Sequence, residues 1–407
     1  MPTDSRAASV GYWPTLKGKN MPRISRRTLL SASATTLAAT AMATPLPVAP
    51  GFKVEEIRTI SLQNRYHGWP TLTRCKSGEL MVVCSGGRDS HVCPFGRVEL
   101  IRSSDNGKTW TFARTILDGP VDDRDAGIVE TSRGTLLVST FTSNAYVPIL
   151  EKARKGAAVG NPTMSDTDLA RWEAAHRRLK PGQHEERLGC WLVRSDDQGR
   201  NWSPAYRIPC NSPHGPINLN DGRLMYAGIS LWAKDRIIGV WTSDDDGMTW
   251  KLLSKLPIRE GDDPSKYHEL HAVQAADGRL VVQIRNHNTR NAGETLQTMS
   301  TDGGTTWTPT KLIGVWGLPS HLVRLSDDRI LMTYGHRRGP LGCQARISED
   351  HGQSWSEAMV LYGDGENYDL GYATSAELSP GKFMSVWYEK PTSSKFASLR
   401  MARWTLD

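Results

Sequence analysis

The sequence predicts an all-β fold, a six-bladed β-propeller with a helical insertion in its second blade. Two observations lead to this prediction. A short motif, Ser-x-Asp-x-Gly-x-x-Trp, occurs five times in the 407 residues, and a longer strand-turn-strand pattern occurs six times. A repeat of about 50 residues that contains four strands is typical of a propeller blade.

The short motif has the composition of a tight β-turn. Its five copies are SSDNGKTW from residue 103, SDDQGRNW from 195, SDDDGMTW from 243, STDGGTTW from 300 and SEDHGQSW from 348. Glycine supplies a positive φ, the aspartate accepts backbone N–H groups, and the tryptophan fills the space beneath the turn. Because alternating stretches such as GRVELIRS precede the motif, each copy is predicted to join two strands of a hairpin.

The longer pattern sets the blade count. Its turn positions are Gly78, Gly134, Gly222, Gly278, Asp328 and Gly381, with separations of 56, 88, 56, 50 and 53 residues. The long interval contains one copy of the short motif, as every other interval does, so it does not hold an extra blade. Residues 145–188 include a helical stretch with Ser165 as N-cap and a stop at Pro181-Gly182. We therefore expect a helical insertion in blade two, either a lid over one face or a surface decoration.

The first 43 residues are predicted to be an export signal. Arg26 and Arg27 precede an apolar run that ends at Ala41-Met42-Ala43, an A-x-A cleavage site. The pair resembles a twin-arginine signal, with Met21 as an alternative start, and an ordinary secretory signal is the other interpretation. We expect an exported, periplasmic or extracellular protein without a membrane span in its mature part. Residues 44–54 are then a linker and residues 55–407 the propeller.

Charge and cysteine usage exclude several classes of partner. Of the net charge of +7, +5 lies in residues 1–43, which leaves +2 for the rest and gives no support for nucleic-acid binding. Six cysteines without a CxxC pair are expected to be small buried hydrophobic residues, so neither a metal nor another cofactor is predicted. The sequence leaves the oligomeric and disulfide states open.

One position in each blade is a candidate for chemistry. The innermost strand of a blade starts near the central channel, so the residues just before it converge on one opening. Counting nine residues back from each turn gives Trp69, Asp125, Pro213, Glu269, Pro319 and Tyr372. A carboxylate pair and a phenol in equivalent positions are suitable as acid, base and nucleophile around one sugar.

Repeated Asp boxes at this interval resemble the sialidase (neuraminidase) superfamily, known for BNR repeats, over residues 55–407. The resemblance implies an exo-glycosidase that removes sialic acid or a related acidic sugar from glycans. Glu269, Asp277-Gly278-Arg279 and Arg285 match the family's spacing, and Tyr372 in YATSAELSPGKFMSVWYE matches its nucleophile. A tyrosine avoids the repulsion that a carboxylate nucleophile would meet from an acidic sugar. Asp89 is implied as acid/base, with His91 near enough to share that role.

The resemblance also implies three arginines that hold the substrate carboxylate. Arg285 matches one of them, and Arg337 or Arg338 matches a second. The third position is Gly68 in HGWPTL, so this chain departs from the pattern. The candidate replacements are Arg65, Arg88 and His67.

Histidines near the strand starts keep other functions open. They could form a sugar-binding rim, supply an acid or base, or pack at the channel mouth. The five residues are His67, His91, His214, His271 and His321. One alternative is a related glycosidase or lyase that uses histidine chemistry on a different acidic or deoxy sugar. Another is a non-catalytic propeller that binds glycans or proteins, since a fold alone does not establish an activity.

Overall fold

The computed structural model describes residues 50–62 and 64–407, so the predicted export signal lies outside the described residues. Within this part, 24 strands form six four-stranded antiparallel sheets. At four of the six junctions between neighbouring sheets, the first strands of the two sheets are in extensive contact. The predicted six-bladed propeller is confirmed. In the described part of the chain, no helix combines the length and the hydropathy that crossing a membrane requires.

The first three blades follow one another along the chain. Blade one contains β2 (Tyr66–Arg74), β3 (Leu80–Arg88), β4 (Arg97–Ser103) and β5 (Arg114–Leu117). Blade two contains β6 (Asp122–Glu130), β7 (Leu136–Ser143), β8 (Cys190–Ser195) and β9 (Tyr206–Ile208). Blade three contains β10 (Ile217–Asn218), β11 (Leu224–Ile229), β12 (Ile238–Ser243) and β13 (Lys251–Lys255).

The remaining blades continue the order until the ring closes. A short 3-10 helix, Pro264–Lys266, precedes blade four, which contains β14 (Tyr267–Gln274), β15 (Leu280–Asn286), β16 (Glu294–Ser300) and β17 (Lys311–Trp316). Blade five contains β18 (Ser320–Arg324), β19 (Ile330–His336), β20 (Gly342–Ser348) and β21 (Met359–Tyr362). Blade six contains β22 (Leu370–Ser379), β23 (Lys382–Glu389), β24 (Ser398–Thr405) and β1 (Lys53–Thr59).

The ring is closed by a strand from the other end of the chain. β1 pairs antiparallel with β24, from Lys53 opposite Thr405 to Thr59 opposite Arg400. The outer strand of blade six therefore needs no hairpin from β24. This explains why five Asp boxes serve six blades, because a box forms the turn between the third and fourth strand.

The Asp boxes adopt the predicted turn. In blade one the Ser103 hydroxyl accepts from the Gly107 N–H at 2.8 Å and donates to Asp105 at 2.7 Å, and Asp105 also accepts from the Thr109 N–H at 2.9 Å. The glycine and the residue before it both have positive φ, 79° at Gly107 and 57° at Asn106. The other four boxes repeat the serine contact to the glycine N–H.

Hydrophobic side chains fill the spaces between adjacent blades. One cluster joins Val82 of blade one to Val386 of blade six, and another joins Val240 of blade three to Val282 of blade four. The middle strands are buried on both faces, and every residue of β15 is buried. The six cysteines of this part are buried and free, as expected for small hydrophobic side chains.

The predicted insertion lies between β7 and β8 and contains three helices. They are α1 (Val147–Ala158), α2 (Asp166–His176) and α3 (Gln183–Glu186). Ser165 caps α2 as predicted, since its side chain accepts from the Asp168 N–H. Trp172 and Tyr146 pack with Cys93 of the loop after β3, so the insertion supports a loop of blade one.

A pair of glycine substitutions tests the box geometry. Gly352 has φ +85° and a Cβ there would lie 2.7 Å from Val281 Cγ2, whereas Gly134 has φ +87° with nothing within 4 Å. We expect Gly134→Ala to lower the free energy of unfolding by about 1–2 kcal/mol through backbone strain alone. Gly352→Ala should cost about 1–3 kcal/mol more because the methyl group overlaps a stiff core side chain. Equal losses in urea unfolding would contradict the proposed packing of the box on the blade.

Candidate active site

Four of the six positions that lie nine residues before the blade turns share an unusual backbone conformation. Trp69, Asp125, Glu269 and Tyr372 have positive φ of 55°, 43°, 33° and 54°. The pairing of each innermost strand with its neighbour shifts register at this point. Such bulges re-aim a side chain, and left-handed non-glycine residues are concentrated at functional sites.

The two remaining positions are prolines, Pro213 and Pro319, whose rings fix φ near −65° and exclude this conformation. Of these six positions, four are therefore bulged strand residues, and two are prolines that lie in a turn or a bend before their strand. We call the four bulged side chains, together with Arg285 of β15, the axial site.

Tyr372 and Glu269 meet in the axial site although 103 residues separate them. The Tyr372 hydroxyl donates a hydrogen bond to Glu269 Oε1. Arg285 Nη1 donates to the second carboxylate oxygen of Glu269 at 2.5 Å and to the Tyr372 hydroxyl at 3.3 Å. The structure thus brings together three of the residues that the sequence predicts for catalysis and substrate binding.

The electrostatics of this trio keep the proton on the tyrosine. Burial, with the nearby carboxylates of Glu269 and Asp125, raises the pKa of Tyr372 well above its ordinary value. Burial opposes ionisation of Glu269 too, but Arg285 and the Tyr372 hydrogen bond outweigh it and hold the pKa of Glu269 below its ordinary value. At rest the pair is a neutral phenol beside a carboxylate, which is the arrangement for a base that takes the proton during attack.

Asp125 lies beside this pair with a different protonation state. Its carboxyl is buried, and burial together with the negative charge of Glu269 raises the pKa of Asp125 to about 7. Two neighbouring carboxylates do not readily ionise together at close range. Asp125 is thus a carboxylic acid over much of the acidic range, able to donate a hydrogen bond or a proton.

The structure separates the two arginines of blade five. Arg337 Nε and Nη2 both donate to the Leu370 carbonyl, at 2.9 and 2.8 Å, two residues before Tyr372. Its positive charge lowers the pKa of Tyr388, although burial, the largest effect, raises that pKa well above its ordinary value. Arg338 is exposed and stacks on Trp316 instead. Arg337 is therefore the residue of this pair that is placed beside the axial site.

The three candidate replacements for the arginine missing at Gly68 each have an acidic partner. Arg88 is fully buried and bonds both oxygens of Asp122, at 2.5 and 3.0 Å. His67 is buried against Glu99 at 3.1 Å. Arg65 is half exposed and lies 3.8 Å from Asp89.

A cation that the sequence interpretation missed is closer to the site. The guanidinium carbon of Arg124 lies 4.3 Å from the centroid of the Trp69 ring, and its Nε has no hydrogen-bond partner among the described residues. Its position directly before Asp125 in DDRDAG was the available signal.

Asp89 is held by two arginines, because Arg171 of α2 contacts its carboxylate oxygens at 3.0 and 3.2 Å and Arg65 lies nearby. His91 of the same loop packs against the axial site, with its ring centroid 5.0 Å from that of Trp69. It bonds Asp369, a carboxylate that the sequence interpretation did not nominate.

The other three histidines form a cluster farther along the axis. The ring centroids of His214, His271 and His321 lie 4.6 to 5.5 Å apart, and the three residues line a cavity of about 460 Å³. His271 and His321 accept backbone N–H groups through Nδ1, at 2.9 and 3.4 Å, so their Nε2 atoms carry hydrogen. This tautomer suits hydrogen-bond donation and not metal ligation. The His214 ring centroid is 6.4 Å from that of Tyr372.

Comparisons with known proteins agree with this architecture. Residues 147–384, more than half of the chain, match the family model for the BNR repeat-like domain. The chain belongs to this family.

Two curated relatives are sialidases. The protein from Bacteroides fragilis (strain YCH46) is 25% identical over 68% of this chain and 51% of its own length. The protein from Micromonospora viridifaciens is 23% identical over 94% of this chain and 61% of its own length. This member of the BNR repeat-like family therefore spans about half to three fifths of these relatives.

A crystal structure of a protein of unknown function from Dyadobacter fermentans shares the fold. The TM-score is 0.71 at 21% identity, over 88% of this chain and all of the other. At this identity the match establishes the architecture and not the chemistry.

The protonation of Asp125 makes a prediction about stability. The folded protein keeps this proton up to about pH 7, whereas the unfolded chain releases it near the ordinary pKa of 3.8. The free energy of unfolding of the wild-type protein therefore falls as the pH rises from about 4 to about 7. An asparagine side chain cannot titrate, so Asp125→Asn should gain stability relative to wild type between about pH 5 and about pH 8. Urea unfolding at both pH values measures the difference. A difference that does not change with pH would show that Asp125 ionises normally.

Proposed function

We propose that this protein is a retaining exo-glycosidase of the sialidase superfamily that removes a terminal acidic sugar from a glycan. The observation that carries the proposal is the buried hydrogen bond from the Tyr372 hydroxyl to Glu269, with Arg285 on both groups. The names of the two curated relatives support the same reaction class. A protein that only bound glycans would not need a strained, buried phenol-carboxylate pair on its axis.

The trio accounts for the first half of a double displacement. The Tyr372 oxygen forms a bond to the anomeric carbon while its proton passes to Glu269, and the bond from that carbon to the leaving oxygen breaks. Arg285 stabilises the negative charge that the Tyr372 oxygen and the Glu269 carboxylate share while the proton moves between them. In the second half, water attacks the same carbon and loses a proton to the acid/base group that protonated the leaving oxygen. Tyr372 then leaves, and Glu269 returns the proton to the Tyr372 oxygen.

An acidic substrate follows from the charges around the nucleophile. A neutral phenol approaches a sugar carboxylate without the repulsion that an aspartate or glutamate nucleophile would meet. Arg285, Arg337 and Arg124 supply positive charge near Tyr372, while Asp125 is uncharged below about pH 7. Gly68 stands where the family's pattern has one of its three arginines. We therefore propose that Arg285 and Arg337 hold the carboxylate of the sugar, with Arg124 close by.

A panel of acidic glycosides tests the proposal. Methylumbelliferyl conjugates of sialic acid, related nonulosonic acids and uronic acids would be incubated with the purified propeller, and released umbelliferone would be measured. Release from at least one member is the expected result. Formation of an unsaturated sugar would support the lyase alternative, and no turnover of any member would favour a binding protein.

Substitution of the nucleophile tests its role. Tyr372→Phe removes the attacking oxygen and keeps the ring, so kcat should fall on the order of 10³-fold or more. Tyr368→Phe is the matched control, since Tyr368 lies four residues earlier and is 62% exposed. If the two variants had the same rate, Tyr372 would not be the nucleophile.

A further inference from the structure

Asp369 forms a hydrogen-bonding centre that the nucleophile and its base do not use. Its Oδ1 accepts from the Tyr66 hydroxyl at 2.8 Å and the Tyr388 hydroxyl at 3.2 Å, and lies 2.9 Å from His91 Nδ1. The residue lies in the segment that leads from blade five into β22, three residues before Tyr372. It connects the loop after β3 with the start of the strand that carries the nucleophile.

These contacts fix the tautomer of His91. Burial opposes ionisation of Asp369, but His91 and Tyr66 outweigh it and keep the pKa of Asp369 below its ordinary value, so this side chain is a carboxylate. A carboxylate only accepts hydrogen bonds, so His91 Nδ1 must be the donor. Nε2, on the other side of the ring, then carries a lone pair when His91 is neutral and a proton when it is charged. No hydrogen bond from the described residues reaches it.

The backbone of His91 is anchored as well. Arg88 Nη2 and Arg124 Nη1 both donate to its carbonyl oxygen, at 3.0 and 3.2 Å. The ring also packs at 88° against the edge of Trp69. A histidine that is oriented by a carboxylate and held at its main chain is preorganised for proton transfer.

The exposure of the candidates decides which one faces the leaving group. In an exo-glycosidase the leaving group is the rest of the glycan, which extends into solvent, so its proton donor must lie between the buried nucleophile and the surface. The His91 side chain is 43% exposed. Asp125 is only 6% exposed, and the Asp89 side chain is 10% exposed and engaged by Arg171.

We propose that His91 is the acid/base catalyst of this enzyme and that Asp369 is its positioning residue. The inference rests on the proposed glycosidase function. In the first half-reaction, Nε2 of charged His91 gives its proton to the oxygen that leaves the anomeric carbon as the Tyr372 oxygen bonds to it. In the second, neutral Nε2 takes a proton from the water whose oxygen replaces Tyr372.

The charges around His91 set the pH range of this chemistry. Partial burial lowers the pKa of His91, Asp369 raises it, and Arg124 and Arg88 lower it, with a net fall from the ordinary value of 6.5. Tyr66, also within hydrogen-bond distance of the ring, stays neutral because burial raises its pKa well above the usual value. The acid role therefore predicts an acidic pH optimum.

Leaving-group dependence tests the role of His91. A good leaving group such as methylumbelliferone needs little protonation, whereas an alkyl or sugar alcohol needs a proton from the enzyme. We expect His91→Ala to reduce kcat/KM on the order of 10²- to 10⁴-fold for an alkyl or oligosaccharide substrate and much less for the umbelliferyl glycoside of the same sugar. The retained umbelliferyl activity also shows that the variant is folded.

Asp89→Asn tests the competing assignment, because the family resemblance implies Asp89 as the acid. A selective loss on poor leaving groups in Asp89→Asn, with none in His91→Ala, would overturn the proposal. Equal losses on both substrates in His91→Ala would overturn it as well. Absence of turnover by the wild-type protein on every glycoside would overturn the proposed function together with this inference, so the two failures are distinguishable.

The pH profile tests Asp369. Because Asp369 favours the charged form of His91, Asp369→Asn should move the basic limb of kcat/KM for the alkyl substrate to lower pH. A purely structural role would lower the rate at every pH and leave the limb in place, and that result would remove Asp369 from the proposal.

Discussion

The strained bulge at the start of four innermost strands is the constraint on which the site depends. A regular strand would leave successive side chains on opposite faces of its blade, packed against the neighbouring blades. The bulge at Glu269 and Tyr372 turns those side chains toward the axis, where strands of different blades approach each other. Contacts between adjacent blades, closed by β1 on β24, hold the bulges in place and offset their strain.

Local chemistry explains how much of this structure could be predicted. The turn motif and the N-cap at Ser165 are signals within a few residues, and the turn motif recurs along the chain, so the six blades and the helical insertion followed from the sequence. The count of nine residues back from each turn also identified Glu269 and Tyr372, which are in contact, because the four bulged blades keep the same strand length from bulge to turn.

The parts that could not be predicted depend on contacts between distant segments. Nothing in KVEEIRT marks β1 as the outer strand of the last blade, since its partner β24 lies more than 300 residues away. Asp369 and Arg124 belong to no family motif, and their importance follows only from the neighbours that the fold gives them. In the same way, only the fold brings Arg171 of the insertion onto Asp89 and Asp369 onto Nδ1 of His91.

Trapping the covalent intermediate tests the central claim most directly. A fluorinated analogue of the sugar identified in the glycoside panel, with a good leaving group, slows the second half-reaction and allows the glycosyl-enzyme to accumulate. After proteolysis, mass spectrometry should find the sugar on the peptide that contains Tyr372, attached through the phenolic oxygen. An adduct on Glu269 or Asp125, or turnover of the parent substrate with no adduct on any residue, would contradict the account.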